Sequence, residues 1–129
     1  MITADQILCH LVGDYLLQSH WMAQEKTKQS FAAGVHAVSY TLPFIFLTRN
    51  PAALAFICLT HFVIDRFRLA RWLVWLKNGY LVSGYMVLRS PTATGYRDDV
   101  PPWLSVWLLI IADNTIHLIC NGIALAVWP

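Results

Sequence analysis

Three pairs of residues in this sequence have the types and the spacing to do chemistry together. His10 and Asp14, His61 and Asp65, and Asp113 and His117 are each four positions apart inside apolar stretches. On an α-helix, residues i and i+4 lie on one face, one above the other. Each pair can therefore aim an imidazole and a carboxylate at the same point. These groups are ligands of Zn²⁺ and of related ions such as Mn²⁺, Fe²⁺ and Ni²⁺. Helical bundles commonly build such sites from pairs on facing helices.

The candidate ligands of a divalent metal, Zn²⁺ first among them, are His10, Asp14, His36, His61, Asp65, Asp113 and His117. A metal with an open position lowers the pKa of bound water, and a neighbouring carboxylate or imidazole can take the proton. Asp14, Asp65 and His36 are the acid/base candidates for such a hydrolysis. Gln18 and Asn121 stand one helical turn beyond Asp14 and His117, where they suit a supporting hydrogen bond or a substrate contact. The cations Lys26, Arg66 and Arg68 could hold a phosphate or a lipid headgroup. For each of these cations taken singly, a topological role is the simpler reading.

The elements that must position these residues are strongly apolar. Of 129 residues, 57% are hydrophobic and only 12% charged, with six Trp and five Tyr, against about 25% charged in ordinary globular domains. That composition points to a single integral membrane domain, with the lipid bilayer as its first partner. A net charge of +2, scattered along the chain, gives no footprint for nucleic acid. Cys9, Cys58 and Cys120 lie in apolar runs without CxxC spacing, which predicts buried free thiols. The N-terminus has no basic segment, and Asp5, His10 and Asp14 interrupt the place of a signal-peptide core.

Local signals divide the chain into four spans, at about 3–19, 31–48, 52–77 and 103–128. Thr3 is the expected N-cap of the first, with Gln6 reaching back to close a capping box. His20–Ser30 reads as a polar connection, and Pro43 is placed to kink the second helix. Arg49-Asn50-Pro51 reads as a tight turn opening the third. Beyond Asp65, Arg66, Arg68, Arg71 and Lys77 alternate with Leu69, Trp72, Trp75 and Leu76. This is the pattern of a helix extending along a headgroup layer, with Asn78-Gly79 as its stop. Residues 80–88 read as an interfacial piece, and 90–102 as a loop rich in Pro and Asp.

The expected fold is thus an all-α bundle of four transmembrane helices with a cytoplasmic interfacial extension and loop. Lys26, Lys28 and the basic residues after Asp65 put the first and third connections on the cytoplasmic side of a bacterial inner membrane. Both termini then fall in the periplasm, and the ionisable residues share one layer of the membrane's cytoplasmic half. An ionisable side chain near the bilayer centre costs roughly 2.5–3.5 kcal/mol, so three co-directed pairs ask for an offsetting role. Metal binding with hydrolysis of a membrane-associated or small polar substrate, phosphate-containing by the cations nearby, is the preferred reading. Two others compete with it. One is an ion or small-molecule channel or transporter subunit, which would need a homo-oligomer. The other is a membrane interaction protein whose His/Asp pairs only hold the helices together.

The run His10-Leu-Val-Gly-Asp14-Tyr-Leu-Leu-Gln18, followed by Trp21-Met-Ala and Lys26, resembles the opening of the DUF3307 family of small bacterial and phage membrane proteins. His36, His61-x-x-x-Asp65 and Asp113-x-x-x-His117 fit that family's later pattern, although Asn114 stands where members often carry Gln. The resemblance spans nearly the whole chain and implies a family without an assigned activity. A looser likeness is to membrane-bound metal-dependent hydrolases typified by the LexA-regulated YdjM-like group. It implies hydrolase chemistry by analogy and assigns no catalytic residue.

Overall fold

The computed structural model describes residues 2–80 and 92–129, all of whose regular structure is helical. Most of the interfacial piece expected at 80–88 lies outside the described residues. In chain order the α-helices are α1 (Ala4–Leu11), α2 (His20–Glu25), α3 (Ser30–Thr41), α4 (Pro51–Phe67), α5 (Leu69–Tyr80) and α6 (Pro102–Val127). A π-helical turn, Val12–Leu16, prolongs α1, and a 3₁₀ turn, Leu42–Phe46, prolongs α3.

The all-α class is observed, but the four membrane spans are not. One helix, α6, is long and apolar enough to cross a membrane. With its π turn, α1 rises only about 20 Å at 1.5 Å per residue, against a hydrocarbon core of about 30 Å. The helix Ser30–Phe46 is apolar but short, and α4 has 17 residues. The expected continuous helix over 52–77 breaks at Arg68, whose φ of 54° puts its backbone in the left-handed region. That conformation cannot propagate an α-helix, so α5 starts afresh at Leu69. Apolar composition read as transmembrane length what the backbone divides into shorter pieces.

The described chain forms two compact units, Met1–Phe67 with His117–Pro129, and Arg68–Ile116. In the first unit, α3 packs on α4 through small residues. Ala32, Ala33 and Ala37 on α3 and Ala53 on α4 are fully buried, so the two backbones approach closely. Tyr40, Phe44, Ile57 and Ala124 form the hydrophobic centre, with Cys9, Leu54, Phe56 and Trp128 packed against it. The π turn meets α3 at Gly13, where an added Cβ would lie 2.5 Å from Tyr40 Cδ2 and 3.0 Å from its carbonyl oxygen. Only glycine lets these helices come so near.

Caps follow the sequence in part. Thr3 Oγ1 accepts from Gln6 N at 3.2 Å, as expected of an N-cap. The Gln6 side chain instead crosses to α6, donating to the Leu118 carbonyl at 2.7 Å. Asn50 Oδ1 accepts from Ala52 N, and Pro51 is the first residue of α4. At Pro43 the α-helix tightens to 3₁₀ geometry. Ser19 caps a short helix, α2, inside the stretch read as a plain connection. The three cysteines are free but half-buried.

In the second unit, Ala70 and Val74 of α5 are buried, and the helix runs past Asn78-Gly79 to Tyr80. Its other face exposes Trp72, Leu73 and Leu76. Gly95, at φ 80°, lies against the Arg71 carbonyl and Trp75 N. Arg68 donates to the Ala93 carbonyl at 2.7 Å, and Arg97 pairs with Asp99 on the surface.

A candidate metal centre

Four side chains of the first unit that can chelate a metal come to one place. Asp14 comes from the π turn, His36 from α3, and His61 and Asp65 from successive turns of α4. All four are buried, and together they can hold a metal ion. Asp14 Oδ1 lies 3.2 Å from His36 Nε2 and 3.5 Å from His61 Nε2. Asp65 Oδ2 lies 3.3 Å from His36 Nε2 and 3.1 Å from His61 Nε2. Carboxylate and imidazole therefore alternate around a ring. A tetrahedral ion with ligands at about 2.0–2.1 Å separates its donor atoms by about 3.3–3.4 Å.

The donor atoms also fit an ion chemically. Asp14 Oδ1, His61 Nε2 and Asp65 Oδ2 are buried and have no well-aligned hydrogen bond among the described residues. A cation among them would engage all three, in competition with Lys26, whose Nζ lies 2.8 Å from Asp65 Oδ2. Burial opposes the charge on Asp65, yet the nearby imidazoles of His117, His36 and His61 outweigh it and hold the carboxyl well below its usual range. Burial likewise opposes the charge on Asp14, and His36, His61, His117 and Lys26 prevail to lower it. Burial pushes His61 down to about 4, so its ring is neutral. Burial also disfavours a charged His36, but Asp14 and Asp65 overcome it and raise its pKa. Ionised carboxylates and the neutral His61 are in the forms that bind metal.

Each carboxylate gives one oxygen to the ring and turns the other to a further histidine. Asp14 Oδ2 lies 3.3 Å from His10 Nδ1, and Asp65 Oδ1 lies 3.4 Å from His117 Nε2. His10 and His117 are both buried. The sequence put both among the ligands; in the structure they approach the far oxygens of Asp14 and Asp65, and His117 also belongs to a second set of side chains that could hold an ion. Asp113 lies one turn before His117 on α6, half-buried, in the second unit.

Tyr40 organises the inner side and was missed in the sequence. Its ring is fully buried and stacks on His61. Its hydroxyl lies 2.9 Å from His10 Nδ1 and accepts from Asn121 Nδ2 at 2.6 Å. A signal was present: Tyr40 follows His36 by four positions, the same step that singled out the His/Asp pairs. The Nδ1 atoms of His36 and His61 have no hydrogen-bond partner among the described residues. Ring packing therefore orients His61, between Tyr40 and His117, whose centroids lie 3.6 and 4.2 Å away.

The outer side is closed by Lys26. Its Nζ lies 2.8 Å from Asp65 Oδ2 and 3.4 Å from His36 Nε2. Arg66 fastens the adjoining turn, donating to the Thr27 carbonyl at 3.0 Å and to Ser30 Oγ at 3.2 Å. Arg68, by contrast, is engaged in the second unit. Gln18 Oε1 is buried with no hydrogen-bond partner among the described residues.

No curated protein and no solved structure matches this sequence. Residues 2–88 match a family described as a protein of unknown function, DUF3307. The match contains Asp14, Lys26, His36, Tyr40, His61 and Asp65 and ends before α6. The chain belongs to the DUF3307 family.

Proposed function

We propose that this protein is a metal-dependent hydrolase of the membrane, acting on a membrane-associated substrate that carries a phosphate. The observation that supports it is the ring of four donor atoms from Asp14, His36, His61 and Asp65, spaced 3.1–3.5 Å apart. Among divalent ions the imidazole and carboxylate donors make Zn²⁺ the first candidate, with Mn²⁺, Fe²⁺ or Ni²⁺ as chemically related occupants. When bound, the ion would supply Lewis acidity, and because four protein donors fill a tetrahedral site, activation of water would require one of them to yield its place.

The chain's own residues have separable tasks. His36 and His61 hold the ion as neutral donors, and Asp14 and Asp65 balance its charge. His10 and His117 fix the carboxylates from behind. Asp14, slightly more exposed than Asp65, is the donor that would yield its place to a water and, once released, would accept that water's proton. Lys26 gives the outer rim a positive charge suited to an anionic group. Membrane association is supported by α6 and by large apolar side chains left exposed in the first unit. Phe46, Leu16 and Phe31 are 91%, 76% and 74% accessible.

Elemental analysis of the full-length protein, purified in detergent without chelator, tests the metal. About one equivalent of zinc, manganese or iron is expected, along with hydrolysis of 4-nitrophenyl phosphate or phosphatidic acid that Asp14→Asn abolishes. Protein without metal, and with stability unmoved by added Zn²⁺ or Mn²⁺, would sink the reading. Metal present without hydrolysis of either phosphate ester would leave a binding protein and remove the enzyme.

A further inference from the structure

Lys26 is in an unusual position for a cation beside a metal centre. Its ammonium contacts two of the four donor atoms, Asp65 Oδ2 and His36 Nε2. A divalent ion held by the ring would contend with it for those same two atoms. Two carboxylates and one ammonium leave the metal-free cluster with a net charge of −1 when the imidazoles are neutral. Adding the ion makes it +1. The ammonium is then repelled from Asp65, and the site as a whole calls for an anion.

The backbone allows the side chain to move without the loop. Arg66 ties Thr27 and Ser30 to the end of α4, and Lys26 N donates to the Met22 carbonyl at the end of α2. The anchor of the side chain is fixed at both flanks. Its four-carbon stem is flexible, and it is 18% exposed, so it opens to solvent.

We propose that Lys26 is an exchangeable counter-ion: it neutralises Asp65 in the metal-free protein and, once the metal claims Asp65, swings outward to grip a tetrahedral oxyanion of the phosphate type. This rests on the reading of the four-residue ring as a metal centre. By linkage, an oxyanion that draws Lys26 off Asp65 must tighten metal binding, and metal must tighten oxyanion binding by the same factor. Metal and phosphate group thus bind as a coupled pair.

Cobalt(II) replaces zinc in such centres with visible absorption, and sulfate is a tetrahedral oxyanion that does not precipitate it. Co²⁺ is titrated into the full-length protein in detergent, with and without sulfate, for wild type, Lys26→Gln and Lys26→Arg. Lys26→Gln should bind Co²⁺ roughly tenfold tighter than wild type without sulfate. Sulfate should tighten Co²⁺ several-fold in wild type and Lys26→Arg, and not in Lys26→Gln. A parallel titration in phosphatidylcholine vesicles, with or without phosphatidic acid, distinguishes the source. Coupling to phosphatidic acid alone assigns the anion to a lipid headgroup, and coupling to sulfate assigns it to a soluble phosphate group. Equal Co²⁺ affinity in Lys26→Gln and wild type, or coupling that survives Lys26→Gln, would overturn the proposal. Failure of every variant to bind Co²⁺ would instead overturn the metal centre itself.

Discussion

Tyr40 lies flat against His61, with ring centroids 3.6 Å apart and planes inclined by 18°. Metal-ligating histidines are ordinarily aimed by a hydrogen bond to their second nitrogen. His61 Nδ1 has none among the described residues, so the stacked ring does that task.

Substitutions at Tyr40 should therefore divide by shape. Tyr40→Phe keeps the stack and loses the hydroxyl contacts with His10 and Asn121, and metal affinity should fall by only a few-fold. Tyr40→Leu removes the stack, and affinity should drop roughly 10–100-fold, the range for loss of an orienting partner. Competition titration against a chromophoric chelator reads both. Equal losses in the two variants would show that the hydroxyl, not the ring face, is the orienting group.

The buried histidines read in sequence as equivalent ligands should separate into two ranks. His36→Ala and His61→Ala remove donor atoms and should leave no stoichiometric metal after gel filtration. His10→Ala and His117→Ala remove the groups behind Asp14 and Asp65, and should retain metal with roughly 10–100-fold weaker affinity. Complete loss in His117→Ala would promote it to a ligand.

Metal removal should cost stability as well as occupancy. The ion binds the folded form alone, so at free metal about 100 times Kd it adds about 2.7 kcal/mol. Thermal unfolding with and without a chelator should show a lower Tm without metal, and Asp65→Asn should abolish the difference. A chelator that leaves Tm unchanged would mean that the ring is held together without an ion.

Two glycines should be intolerant for different reasons. Gly13→Ala puts a methyl group against the ring and backbone of Tyr40, which cannot recede without disturbing His61. Overpacking of this kind costs about 1–3 kcal/mol. Gly95→Ala meets the Arg71 carbonyl from a positive φ, where a Cβ is strained whatever the space. Urea denaturation of each variant measures the cost, and the metal affinity of Gly95→Ala should stay at the wild-type level.

The four-residue spacing of His61 and Asp65 was enough to predict their shared face, because α4 is regular through both. The structure also gathers Asp14 and His36 with them, and Lys26 lies against Asp65 and His36. The ranking of His10 and His117 could not be read from spacing, since a carboxylate can offer either oxygen and only the packing decides. The membrane spans failed for a related reason. Hydropathy counts apolar residues, while a π turn at Val12–Leu16 and a left-handed Arg68 are backbone events without a composition of their own. Nothing in Arg66-Phe67-Arg68-Leu69 marks the break, for glycine would be the usual residue there. Asn78-Gly79 carried the opposite lesson: a typical stop signal through which the helix continues.

The π turn sets how this protein can vary. Leu17 N bonds back to the Val12 carbonyl, five residues behind, at 3.0 Å, so the segment holds one residue more than an α-helical turn would. Deleting a single residue there would relax it to α geometry. The same Leu17 N–H and Val12 carbonyl would then close an α-helical turn, so the flanking segments would keep their register and the change would fall on the residues between them. Gln6 and His10 would keep Leu118 and Tyr40, while Asp14 would be re-aimed relative to His36 and His61. Within Val12–Leu16 the length of the chain is therefore under tighter constraint than the identity of the exposed Leu16, and a one-residue deletion there should weaken metal binding where exchange of Leu16 is silent.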